Sequence, residues 1–208
     1  MKRPAARAHP TVVVPAHAEL IARLAVALDG RGAVRLASPT LRAAAVAVLL
    51  VERDGETWVP MIERGADAPT HSGQIALPGG GFDPRDADLV ATARREAEEE
   101  LGVPRAAPRV LGTLDDVPTP TGYAITPVVA ELAATVQVVP NPREVASWFW
   151  VPFARFVDRT DVEVLGVRQW DGRAWTMRAY PYQGHRIWGA TARILEAVVE
   201  LAGGPPRE

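Results

Sequence analysis

The chain has 208 residues, 48% of them hydrophobic and 23% charged, with a formal net charge of -2. That size and composition describe one globular domain with modest terminal extensions, long enough to bury a sizeable core. No basic stripe gives a reason to expect nucleic acid as a partner, and the absence of cysteine excludes disulfides, zinc thiolates and thiol catalysis together.

Residues 1–15, MKRPAARAHPTVVVP, read as a loose arm. They carry basic residues but no apolar stretch adequate for a signal peptide. The spacing of Leu20, Ile21, Leu24 and Leu28 predicts a helix over 16–28, with Gly30 as its stop. AAAVAVLLV, at 43–51, reads as a buried strand; it is far too short to span a membrane, so no membrane partner is expected and cytoplasm is the default location. Asp54-Gly55 is a turn signal, with 58–62 as the hairpin partner. A short strand at 75–77 runs into PGGGF, read as a loop, and a helix follows over 87–101 with Gly102 closing it. Further strands are predicted at 109–114, 125–132, 147–151 and 175–180. A helix at 187–202 and a tail at 203–208 complete the chain. Trp148, Phe149 and Trp150 alternate along one strand, so at least one belongs to the core. Strands and helices do not alternate regularly, which favours a mixed sheet covered by helices over a doubly wound parallel one.

The densest chemistry lies at 94–103, RREAEEELGV. At about 100° per residue, Glu96, Glu99 and Glu100 fall in one sector about 100° wide, while Glu98 points elsewhere. Val90, Ala93, Ala97 and Leu101 form the adjoining apolar face. Three anions this close repel one another; Arg95 reaches Glu99 at i+4, but Glu96 and Glu100 have no helical cation of their own. One reading is a solvated helix face. The other is a set of hard oxygen ligands suited to Mg²⁺ or Mn²⁺. The preceding glycines, Gly79, Gly80 and Gly81, favour the second. Glycine permits positive φ and close backbone approach, so such a segment can aim a carbonyl at a cation and N–H groups at phosphate.

These residues resemble the box of the Nudix hydrolases. Arg95, Glu96, Ala97, Glu98, Glu99, Glu100, Leu101, Gly102 and Val103 complete its second half. The first glutamate of the box is missing: counting forward from Gly80 reaches Asp86, and counting back from Arg95 reaches Ala87. In the family that glutamate supports the arginine, a role open here to Asp86 or Asp88. The segment from Arg64 to Asp88 looks like the coenzyme A diphosphatase branch, with Arg64, His71, Gly73, Gln74, Pro78, Gly79 and Gly80 in register. Pro69 stands where that branch usually has arginine, and Leu77 replaces phenylalanine. Stretches at 119–129, 140–152 and 185–195 also look like this branch, so the similarity covers about 40–202.

The resemblance implies an α/β/α sandwich with a central mixed sheet, formed by one domain over 16–202. It implies a diphosphatase using Mg²⁺ or Mn²⁺, with Glu96, Glu99, Glu100 and the Gly80 carbonyl as ligands and Arg95 beside them. For coenzyme A the products would be 3′,5′-ADP and 4′-phosphopantetheine, and its thioesters are candidate substrates alongside it. Arg64, His71, Gly79 and Gly81 are the expected phosphate or pantetheine contacts, and Glu144 is a candidate extra carboxylate to accept the water's proton. Tyr123 is a candidate stacking surface for adenine, with packing as its alternative role; His185 is read as structural. Another diphosphate substrate (a dinucleotide, nucleotide sugar or nucleoside triphosphate) and a nucleotide-binding domain without hydrolysis remain as alternative functions. A homodimer is open.

Overall fold

In the computed structural model the described residues are 14–65, 73–170 and 173–206. Most of the N-terminal arm, together with Pro69 and His71, lies outside them. The elements are α1 (His17–Leu28), β1 (Arg42–Arg53), β2 (Glu56–Arg64), β3 (Ile75–Ala76), β4 (Gly79–Gly81), α2 (Leu89–Leu101), β5 (Arg109–Thr113), β6 (Val117–Pro118) and β7 (Tyr123–Leu132). They continue with β8 (Val145–Pro152), α3 (Ala154–Val157), β9 (Glu163–Trp170), β10 (Arg173–Tyr182), β11 (His185–Trp188) and α4 (Gly189–Leu201).

β1 organises the main sheet. It runs parallel to β7 and antiparallel to β2 and β4, and the full order is β3-β2-β1-β7-β5, with β8 on β2 and β6 on β7. The sheet is therefore mixed, as expected. Side chains alternate along a strand, and β1 is apolar on both faces. Ala45, Ala47, Leu49 and Val51 pack with Ala93, Ala97 and Leu101 of α2. Val48 and Leu50 pack on the other side with Leu20 and Leu24 of α1 and Leu195 and Val198 of α4. Two cores back to back on one sheet make the α/β/α sandwich. Each fully buried leucine contributes about 1.5–3 kcal/mol from removal of apolar surface from water.

β1 and β2 pair at Val51 with Trp58, Glu52 with Thr57 and Arg53 with Glu56, then part company. β3 bonds to β2 at Ile62 and Glu63, and β4 bonds to β1 at Ala44, Ala45 and Val46. The glycine segment is thus wedged into a split in the sheet. It is a strand and not the loop expected from PGGGF, because its partner lies more than 30 residues back along the chain. None of its three glycines has a positive φ.

Other boundaries shifted for identifiable reasons. His185–Trp188 is strand β11, not the start of the last helix; Trp188 is extended and Gly189 turns the chain at φ 68. β9 was not expected, because Gly166 and a register shift opposite Met177 and Arg178 break its alternation. Trp148 and Trp150 pack against the α2-side core and Phe149 against the other. His185 stacks on Phe149 with ring centroids 4.3 Å apart, the packing role expected of it. At the C-terminus, Arg159 Nη2 donates to the Pro206 carbonyl at 3.0 Å and holds that part of the tail against the domain.

Two glycines separate backbone strain from collision. Gly55 (φ 81) turns the β1–β2 hairpin together with Asp54 (φ 53), and a Cβ there meets nothing within 4 Å. Gly102 (φ 65) ends α2, where a Cβ would stand 2.7 Å from the Val139 carbonyl oxygen. That carbonyl has little room to retreat, since Val139 N–H donates to Leu101 O at 2.8 Å. Gly55→Ala should cost about 1 kcal/mol from left-handed strain alone. Gly102→Ala should cost about 2–3 kcal/mol by adding the clash. Denaturant melts of the two variants test this, and equal losses would refute the clash.

Candidate active site

α2 presents its acidic edge to the wedged glycine strand. Asp88 caps the helix, accepting a hydrogen bond from Ala91 N–H at 2.7 Å. Its apolar stripe fixes the rotation about the helix axis, so Glu96, Glu99 and Glu100 come out along the side facing β4 and the nearby solvent. Arg95 links most of the group. Its Nη1 donates to Glu96 Oε1 and Glu99 Oε2, each at 2.8 Å, and its Nη2 donates to the Gly81 carbonyl at 3.0 Å. Its Nε lies 3.2 Å from both oxygens of Asp86.

Asp86, not Asp88, therefore supports the arginine. Asp86 is almost fully buried and also accepts from Thr92 Oγ1 at 2.8 Å. Burial opposes its ionisation, but the bonds from Thr92 and Arg95 outweigh burial and hold the carboxyl below its usual range.

Glu100 is 5% exposed, and its Oε2 accepts from Gly79 N–H at 2.8 Å. Burial is the largest influence and pushes its carboxyl up to about 8; the Gly79 bond and the charge of Arg64 pull the other way. Burial raises Glu96 as well, against the lowering effect of Arg95. Because Arg95 engages Glu96 and Glu99 while Glu100 turns to Gly79, no three carboxylates point at one centre among the described residues.

The glycines make this packing possible. A Cβ on Gly79 would collide with the Ala45 carbonyl and Val46, and one on Gly80 would collide with the Glu96 carboxylate. The ladder also sorts their backbone groups. Ala47 N–H bonds Pro78 O at 2.8 Å and Phe82 N–H bonds Ala43 O at 3.0 Å. Gly80, midway between and opposite Ala45, thus turns its own N–H and C=O toward β1. Gly79 turns outward: its N–H meets Glu100 and its carbonyl lies 3.4 Å from Arg64 Nη1. The carbonyl expected from Gly80 is on this geometry better supplied by Gly79.

Arg64, at the end of β2, joins the group through that contact. Its backbone closes the segment after β2, with Arg64 N–H donating to Gln74 O and Gly73 N–H to Arg64 O, both at 3.1 Å. Glu144 is near enough for its charge to raise both Glu96 and Glu100, and Asn141 Nδ2 holds its Oε1 at 3.1 Å. Glu98 points away and pairs with Arg105 at 2.6 Å. Tyr123 does not join the group. Its register with Arg42 places it on the α1 and α4 face of the sheet, with the Arg42 guanidinium 4.2 Å from its ring centre. His71 lies outside the described residues. Sequence reasoning assigned nothing to Phe82, although its place two residues after Gly80 was a usable signal, since alternate strand residues share a face.

Comparison with known proteins follows the same segments. The Nudix domain family matches residues 41–171. The chain is 38% identical over 140 residues to a protein of Photorhabdus laumondii subsp. laumondii named uncharacterized Nudix hydrolase NudL, covering 67% of this chain and 74% of that protein. A protein of the same name from Yersinia pestis (strain Pestoides F) is 33% identical over 163 residues, covering 78% and 81%. Among solved structures, the Nudix hydrolase RenU of M. smegmatis aligns with 55% of this chain and 72% of its own, at 28% identity and a TM-score of 0.47. With the family match spanning more than half of its length and including every element of the site, this chain belongs to the Nudix hydrolases.

Proposed function

We propose that the enzyme is a divalent-cation-dependent diphosphatase, and that its substrate is coenzyme A or a coenzyme A thioester. The observation that carries the first part is the arrangement of Glu96, Glu99 and Glu100 beside an outward-facing glycine backbone. The donors fit a hard cation: three carboxylates and the Gly79 carbonyl are oxygen ligands of the kind Mg²⁺ and Mn²⁺ prefer. The missing Cβ at Gly80 lets the Glu96 carboxylate pack directly against the glycine strand. A bound cation supplies charge neutralisation at phosphate and a lowered pKa for water.

The chain's own residues have separate tasks. Asp86 and Arg95 orient Glu96 and Glu99. Arg64, a guanidinium suited to bidentate contacts, faces the diphosphate. Glu144 accepts the proton of the attacking water. Oxygen bonds to one phosphorus, the bond from that phosphorus to the bridging oxygen breaks, and the bridging oxygen leaves with the other phosphate. The coenzyme A assignment rests on the sequence pattern through Arg64, Gly73, Gln74 and Pro78. Pro69, in place of that pattern's arginine, favours a second reading: the same chemistry on another nucleoside diphosphate derivative.

Incubation with Mg²⁺ or Mn²⁺ and a panel of diphosphates, with products separated by chromatography, tests both parts. Coenzyme A should yield 3′,5′-ADP and 4′-phosphopantetheine. Cleavage of a nucleotide sugar with coenzyme A inert would leave only the general reading, and no cleavage of any diphosphate would remove both.

Glu99→Gln should lower kcat at least about a hundredfold and weaken Mn²⁺ binding measured by electron paramagnetic resonance. Glu98→Gln should change neither, and equal effects of the two substitutions would defeat the facial assignment. The two aspartates should also separate. Asp86→Ala should lower kcat about tenfold or more by releasing Arg95. Asp88→Ala should cost about 1 kcal/mol of stability through the lost cap while kcat stays within about twofold. Steady-state kinetics and thermal melts of both variants decide between them.

A further inference from the structure

We infer that Phe82 is the platform on which the planar base of the substrate stacks, an inference that rests on the diphosphatase reading above. Phe82 is 41% exposed. A single exposed apolar side chain is ordinary on a protein surface, so its position and anchoring must carry the case. Phe82 continues the β4 ladder past the strand's end, its N–H bonded to Ala43 O at 3.0 Å. Gly80 pairs with Ala45 in that ladder, and the direction a side chain would take from Gly80 leads to the Glu96 carboxylate. Two residues on, Phe82 shares that face. Ala43, opposite Phe82, also shares it, because Ala45 and Ala47 of β1 pack against α2. The exposed ring therefore stands on the same side of the sheet as the acidic edge, one strand repeat beyond Glu96's contact with β4.

The ring's backbone is pinned on both sides. Before it, the Gly81 carbonyl receives Arg95 Nη2 at 3.0 Å. After it, the Asp83 carbonyl accepts from Asp86 N–H at 2.8 Å. An exposed aromatic face beside the proposed diphosphate centre suits a base, because stacking needs a π-surface and no particular hydrogen-bond pattern. Tyr123, the aromatic residue first considered for this role, is on the other face and already covered by Arg42. The substrate class is accordingly a diphosphate with a purine or pyrimidine base on one side, rather than a base-free diphosphate.

The test uses the full chain in Mg²⁺ with two probes followed by calorimetry: ADP, which carries a base, and methylenediphosphonate, which does not. Phe82→Ala should weaken ADP about tenfold and leave methylenediphosphonate unchanged. Phe82→Trp should restore ADP binding. With whichever diphosphate the panel assay shows to be cleaved, Phe82→Ala should raise KM about tenfold while kcat stays within about twofold. If wild type is active but Phe82→Ala affects both probes alike or neither, the platform is refuted and diphosphate hydrolysis stands. If wild type cleaves no diphosphate, the parent reading fails and the platform fails with it.

Discussion

The site depends on two absent methyl groups. At Gly79 a side chain would strike β1, and at Gly80 it would strike the Glu96 carboxylate. With hydrogen there instead, β4 lies flat in the split between β1 and β2 and within bonding distance of α2. The Gly79 N–H then reaches Glu100. An acidic group almost fully buried without a donor would cost several kcal/mol. Close backbone approach and the buried carboxylate are therefore one feature: moving the strand away would strand the acid.

The same crowding explains why an arginine, and not a lysine, stands at 95. Asp86, Glu96, Glu99 and a carbonyl approach it from different directions. A planar fork with five donors satisfies all four at once; an ammonium offers three donors from one point. Even so, the balance stays acidic. Asp86, Glu96, Glu99, Glu100 and Glu144 face two guanidiniums, Arg95 and Arg64. Burial answers part of the excess by favouring a proton on Glu100.

What could be read from the sequence follows the range of each interaction. The helix of α2 and the turning of Glu98 away from Glu96 and Glu99 rest on contacts within one or two turns, and both were legible; that Glu100 turns to the Gly79 N–H while Glu96 and Glu99 turn to Arg95 was not. The choice between Asp86 and Asp88 was not. Asp88 has the right angle on the helix, but the first turn needs a cap and takes it; Asp86 reaches Arg95 from the preceding loop because Thr92 holds it there. PGGGF looked like a turn because glycine is the residue of positive φ. Its use here is close approach, set by a partner at 44–46 that no local window contains. Between the two roles weighed for Tyr123, stacking on a base or packing, local sequence could not choose, because its side of the sheet follows from register with Arg42 and not from its neighbours in sequence. β9 escaped because a bulge interrupts the period by which strands are recognised.

Chemistry and substrate choice occupy different kinds of structure in this molecule. The glutamates and glycines of the proposed reaction sit on α2 and β4, clamped by the core on one side and by the β1 ladder on the other. The groups proposed to meet the rest of the substrate come from ends: Arg64 closes β2 and Phe82 follows β4. Backbone at an element's end carries fewer packing obligations than its middle. Arg64 is held by its backbone bonds to Gln74 and Gly73, and its guanidinium lies 3.4 Å from the Gly79 carbonyl at the edge of the site. A change at Phe82 alters what is held without touching the carboxylates, whereas a change at Gly79 or Asp86 disturbs the carboxylates whatever is held. On the function proposed, one hydrolytic centre can serve different diphosphates, with the difference written at the rim.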